Sequence, residues 1–196
     1  MNRLRLLAVA LMLLTTGLML GARPAGPPEE DSAAVGFCRD MAVHHQQAVE
    51  LSLVLRDRST DDKVRLLAYD VIGTQATQRG MLLGWLASWG SGLSAGGESM
   101  AWMGMPGTGT PMPGMATREQ IAGLARAAPG EVDVAYLRLL ITHHLGGVHM
   151  TDGLLRAGVT GTPPEVRRLA EAMRASQRAE IGALRDMLAE RERGLR

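Results

Sequence analysis

From Val64 onward the apolar side chains recur at spacings of three and four: Val64, Leu67, Ala68 and Val71, then Gln75 in the same stripe, then Leu82 and Leu86. The rhythm returns as Val166, Leu169, Ala170, Met173, Gln177, Ile181, Leu184 and Leu188. Such spacing puts the residues on one face of a helix. No stretch alternates apolar and polar residues long enough to predict a strand. The two stripes superimpose when the chain is shifted by 102 positions, and Gln75 then falls on Gln177. A shift of 99 positions lays VGFCRDMAVHHQQAVEL, from Val35, on VAYLRLLITHHLGGVHM, from Val134. Val35/Val134, Arg39/Arg138, His44/His143, His45/His144 and Val49/Val148 are then identical. The chain is thus two copies of one unit: a helix carrying a His-His pair, a turn, and a second helix carrying a glutamine. The shifts differ only in the turn, where an insertion costs little. Neither helix pair can bury its stripe alone. The predicted fold is all-α, an antiparallel four-helix bundle with a pseudo-twofold axis.

Start signals agree with this division. Ser59-Thr60-Asp61-Asp62 precedes Val64, and Thr162-Pro163-Pro164-Glu165 precedes Val166. Thr117-Arg118-Glu119-Gln120 is a capping box opening a short helix over 118–128. Residues 1–22 place Arg3 and Arg5 ahead of an apolar run from Leu6 to Leu20, followed by small residues. That is the layout of a signal peptide, with an uncleaved anchor as the alternative. Residues 23–31 read as a tether. A single bundle domain follows over 32–192: repeat one at 32–89, a Met/Gly-rich linker at 90–116, the short helix, and repeat two at 131–192. An extracytoplasmic protein is expected: secreted, periplasmic or held at the cell surface.

Composition removes several classes of function. Twenty-one basic residues against twenty acidic ones leave a charge of +1, which provides no basic face for nucleic acid. Aromatic residues make up 3% of the chain, too few for a stacking surface. A single cysteine, Cys38, rules out an intrachain disulfide and any CxxC site. HExxH, a P-loop and a nucleophile elbow are all absent. Carboxylate-bridged di-iron bundles need Glu-x-x-His, but the residues three before each histidine are Met41, Ala42, Leu140, Ile141 and Gly146. The sequence offers no catalytic set.

What remains is a pattern of soft and nitrogenous donors. All five histidines, His44, His45, His143, His144 and His149, lie on the two paired helices. Met41 precedes His44 and His45 by three and four residues, and Met150 follows His143 by seven. Imidazole with thioether suits copper, since thioether selects Cu(I) and imidazole also accepts Cu(II). Adjacent helical side chains diverge by about 100°, so a site is expected to take one histidine from each helix or to use the second histidine with another partner. Five linker methionines, Met100, Met103, Met105, Met112 and Met115, are diluted by eight glycines and three prolines. They read either as a mobile catch for a soft metal or as adaptable packing anchored by Trp102. Gln75 and Gln177, on otherwise apolar stripes, either orient imidazoles or tie helices together, and Glu180 is a further orienting candidate. Cys38 reads as a small buried hydrophobe.

FCRDMAVHHQQAVELS, LAYDVIGTQATQRGMLLGWL, MPGMATREQIAGL, YLRLLITHHLGGVHM and LAEAMRASQRAEIGALRDML together resemble the family known as domain of unknown function 305. The resemblance runs over roughly residues 31–190. It implies a ferritin-like four-helix bundle, usually exported, with copper binding through His and Met in some members. On this chain it falls on His44, His45, His143, His144, Met150, Met112 and Met115. Leu51 stands where the family commonly has Met, and Gln78-Arg79 where it commonly has Glu-Ile, so the first half-site is expected to be weaker or altered. The function expected is copper sequestration or transfer, with no organic cofactor. Its partners would be the metal ion and a metallochaperone or transporter, and a membrane only through an uncleaved N-terminal segment. The alternative is a structural or partner-binding helical module without metal.

Overall fold

The computed structural model describes residues 26–93, 99–105, 112–156 and 161–194. The proposed signal peptide, residues 1–22, lies outside them. The described residues form five α-helices: α1 (Ala33–Arg58), α2 (Asp62–Ser88), α3 (Arg118–Arg126), α4 (Glu131–Arg156) and α5 (Pro164–Gly194). A single 3-10 turn covers Ala101–Met103, and no strand occurs among them. None of these helices is long and apolar enough to cross a membrane. Local chemistry sets the starts. Ser32 caps α1 through Val35 N, and Asp61 caps α2 through Lys63 N and Val64 N. Thr117 and Gln120 exchange the two hydrogen bonds of a capping box at α3.

The buried apolar residues fall into two clusters, and their membership gives the helix directions. One joins Val35, Phe37, Cys38 and Met41 of α1 to Leu82 and Leu86 of α2, Met150 and Leu154 of α4, and Val166, Ala170 and Met173 of α5. The other joins Ala48, Leu51 and Leu55 to Val64, Ala68 and Val71, to Val132, Tyr136, Leu137 and Leu140, and to Leu184, with Leu124 of α3. The beginning of α1 therefore meets the ends of α2 and α4 and the beginning of α5. The order is up, down, down, up, the ferritin-like arrangement with one long crossover. Two buried hydrogen-bonding pairs fix the levels: Ser52 Oγ with Tyr136 Oη at 2.8 Å, and His143 with the His44 carbonyl.

Because α2 and α4 run the same way, the linker must travel the length of the bundle between them. It is pinned as it goes. Asp40, buried on α1, accepts from Ser99 Oγ (2.9 Å), Met100 N (2.7 Å) and Trp102 Nε1 (2.8 Å). The Trp102 indole packs over Gly36, where a Cβ would lie 2.6 Å from the ring, and meets Phe37 edge-on with centroids 5.7 Å apart. Met100 holds a left-handed φ of 66°, which the Asp40 bond to its amide helps to maintain. Further along, Gln47 of α1 clasps Ala116 through two hydrogen bonds, at 2.6 and 2.9 Å. Gly114 (φ 79°) lies against the backbone of Thr142, His143 and Gly146, and a Cβ on Gly146 would strike the Pro113 carbonyl. Glycine is needed on both sides of that crossing.

Asp40→Ala would leave the Met100 amide and the Trp102 indole N–H without their acceptor. The expected result is a loss of about 2–4 kcal/mol in denaturant unfolding, with faster hydrogen exchange at Met100. Unchanged exchange would show that the latch does not order this segment.

Candidate metal centre

Between the two apolar clusters lies a polar layer, made where the His-His pairs of α1 and α4 face each other. His44, His45, His143 and His144 are all fully buried, and Gln75 and Gln177 are nearly so. His44 and His143, one from each repeat, stack with ring centroids 3.8 Å apart and planes tilted by 32°. Within each pair the rings diverge, with centroids at 6.4 Å for His44–His45 and 6.3 Å for His143–His144. Helical rotation explains both facts: one ring of each doublet meets the opposite repeat, and the other turns toward its own partner helix.

Each imidazole is held by Nε2. His44 Nε2 donates to the Pro113 carbonyl (3.2 Å) and His143 Nε2 to the His44 carbonyl (2.9 Å). His45 Nε2 donates to Gln78 Oε1 (2.9 Å) and His144 Nε2 to Glu180 Oε2 (2.8 Å). A carbonyl or carboxylate can only accept, so these partners fix a hydrogen on Nε2, and in the neutral ring Nδ1 is then the acceptor. All four Nδ1 atoms are buried and have no hydrogen-bond partner among the described residues. Gln75 Oε1 and both amide atoms of Gln177 share that condition. Gly147 makes room for Gln177, because a Cβ there would collide with the Gln177 amide.

Three of the rings, His44, His45 and His143, are held neutral. Burial pushes His44 down to about 3, helped by His45 beside it, and His45 down to about 4 against the opposing Gln78 bond. His143 is lowered well below 6.5 by burial and by His44 and His144. Neutral imidazole with a free ring nitrogen is the metal-ligating form, and a carboxylate on the far nitrogen, as Glu180 supplies to His144, is the usual support for such a ligand.

The other candidate residues divide. His149 is exposed; five and six residues beyond the pair, it is turned away from the layer. Met41 and Met150 are buried in the first apolar cluster with Met100 and Met173, and Met103 and Met112 pack against it. Met103 lies over Gly153 of α4. Six thioethers therefore sit on one side of the layer, whereas the other cluster has Met187 at its edge. Met115 is half-buried and Met105 is 42% exposed. Cys38 lies in the first cluster, and burial pushes its thiol up to about 12, so it packs as a neutral side chain. Among the described residues no three His, Cys, Asp or Glu side chains converge on one ion position. Gln75 and Gln177 make no hydrogen bond to an imidazole. That task falls to Gln78 and Glu180, which the 102-position shift superimposes.

The unfolded chain takes up protons below the free-imidazole value of 6.5, whereas His44, His45 and His143 in the folded layer refuse them. The stability the layer contributes is complete above that value and is lost as the pH falls toward the depressed folded values. Urea midpoints of the metal-free protein should therefore fall between about pH 7 and about pH 5. His44→Leu, which removes one titrating ring, should make the fall shallower; an equal slope would contradict neutral burial of His44.

The structure resembles several solved ones. A DUF305 protein from Streptomyces coelicolor, described as a candidate secreted protein, matches at 46% identity and TM-score 0.78, over 84% of this chain and 96% of that one. A DUF305 fragment from Deinococcus radiodurans matches at 30% identity and TM-score 0.71, over 84% and 99%. CopM in its Cu(I)-bound form shares the fold at 22% identity and TM-score 0.59, over 79% and 94%. Among curated proteins there is no match. The family model described as "Domain of unknown function (DUF305)" matches residues 34–188, and the chain belongs to that family.

Proposed function

We propose that the protein binds copper outside the cytoplasm and sequesters it or hands it on, using the histidine layer with thioethers beside it. The observation that carries this reading is the set of four buried imidazoles, each tied down by Nε2 and each with Nδ1 unpartnered. Leaving a buried acceptor unpaired costs about 1–3 kcal/mol. An apolar residue at the same place would avoid that cost, so four such atoms in one layer ask for a ligand that supplies the missing partner. The donor set fits copper: buried imidazoles in the layer, with Met41 and Met150 in the apolar cluster on one side of it. His44, His45, His143 and His144 would hold the ion, with Glu180 and Gln78 fixing ring orientation. CopM, with the same fold, has been crystallised with Cu(I), Cu(II) and silver.

A second reading rests on the lack of a convergent triad among the described residues. In it the layer is a specificity device of a partner-binding bundle, setting helix register without metal. The two readings differ in a simple measurement. Copper at about a hundred times its dissociation constant should stabilise the folded protein by about 2.7 kcal/mol, raising the melting temperature by roughly 5–10 °C. Replacing His44, His45, His143 and His144 together with Gln should abolish that gain. A wild-type protein whose melting temperature ignores copper would leave the metal-free module standing.

A further inference from the structure

Among the described residues, the two sides of the histidine layer differ. On the α1–α4 side the linker lies across it, with the Pro113 carbonyl on His44 and Gly114 against the α4 backbone. On the opposite side a cleft of ≈ 240 Å³ opens between α2 and α5. Gln75 and Gln177 line it; each is 3% exposed, and together they contribute three unpartnered amide atoms. Gln78 and Glu180, the residues that grip His45 and His144, line it as well. Of the lining residues only Asp70 and Glu180 carry charge, and both are acidic.

We propose that this α2–α5 cleft is the route by which a cation reaches the histidine layer, with access biased to the second repeat by Glu180, which stands where pseudo-symmetry places the neutral Gln78. The inference rests on the metal-binding reading above and adds a path and a polarity to it. Two carboxylates in a narrow opening with low-dielectric walls concentrate cations. Inside, Gln75 Oε1 and Gln177 Oε1 are oxygen acceptors without partners, able to replace water around an incoming ion while it sheds its hydration shell. Beyond them lie His45 and His144, the two rings held from the cleft side. Of these, His144 has a carboxylate partner, the usual outer support of a ligating imidazole. Glu180 is in this sense a positioning residue, acting on the ion through His144.

Stopped-flow mixing of the full chain with Cu(II), and separately with Ag(I), tests the route. Thr74→Trp would fill the cleft from its exposed wall. It should slow association and dissociation together, by about tenfold or more, while the equilibrium affinity stays within a factor of about two, the signature of a blocked path rather than a damaged site. Asp70→Asn should slow association at low salt by about threefold or more and weaken its salt dependence. Gln78→Glu should speed association, and Glu180→Gln should both slow it and weaken the affinity. Circular dichroism confirms folding of each variant, and Asp70→Asn, at an exposed helical position, keeps the test intact if Thr74→Trp does not fold. Wild-type association rates in both Thr74→Trp and Asp70→Asn would overturn the route. A wild-type chain that takes up neither ion, or a four-histidine variant that takes them up unchanged, would instead overturn the metal reading and the route with it.

Discussion

Four buried imidazoles cut the core of this bundle into two apolar halves. Each ring is fastened by a single hydrogen bond from Nε2, and two of those bonds cross between elements far apart in sequence: His143 to the His44 carbonyl, and His44 to the Pro113 carbonyl. The repeats therefore cannot slide by a turn without stranding donors as well as acceptors. Apolar side chains alone tolerate such slippage, because dispersion and burial are not directional. A buried polar layer does not. Register, handover of the linker and ring orientation all follow from it.

The same layer explains where the chain breaks its own symmetry. An exact twofold would give His44 the His143 carbonyl as its acceptor, but the linker takes that place with Pro113. The crossover is forced by helix order, and it lies along the groove between α1 and α4, where Gly114 and Gly146 permit backbone to approach backbone. Asp40 and Gln47, both on α1 and both buried, hold it at two levels. Neither has a like residue in the second repeat, where Leu139 and Gly146 occupy the shifted positions. One face of the layer is thus crossed by the linker at Pro113 and Gly114. The other is left to α2 and α5, whose facing glutamines and Glu180 make it polar.

Local and periodic signals were legible before any coordinates. The repeat, the four paired helices, the capping box at Thr117 and the meeting of one histidine from each copy all follow from spacing. Glu180 stood out through its place on the glutamine helix. What spacing cannot show is which backbone carbonyl will accept a hydrogen bond, so Pro113 and the His44 carbonyl were invisible. Gln78 was visible as a departure from the family pattern, and the 102-position shift pairs it with Glu180, but its role needed the contact with His45. Asp40 gave no signal, because its partners lie some sixty residues away in a segment without periodicity. His149 shows the opposite limit: clustering in sequence suggested a ligand, whereas helical rotation sends it to solvent. The linker methionines divide in the same way, since a glycine-diluted run of methionines does not show that Met100 faces the core and Met105 water.

The geometry also bears on how a metal would be held under the proposed reading. Donors in the layer come as pairs rather than a ready triad, and thioethers gather on one side only. Cu(II) prefers a tetragonal set of nitrogen and oxygen ligands, which this arrangement provides only if rings turn. A soft monovalent ion asks less, since sulfur and a few imidazoles satisfy it. Among the four rings, His44 has the longest Nε2 contact, 3.2 Å against 2.8–2.9 Å for the others, and its acceptor belongs to the linker rather than to a helix. It is the ring whose present hydrogen bond is cheapest to surrender. His144, braced by a carboxylate, is the one best fixed. An ion moving between soft and harder coordination would thus find one anchored ligand and one adjustable ligand on opposite repeats, with the methionines to the side of the adjustable one's own helix start.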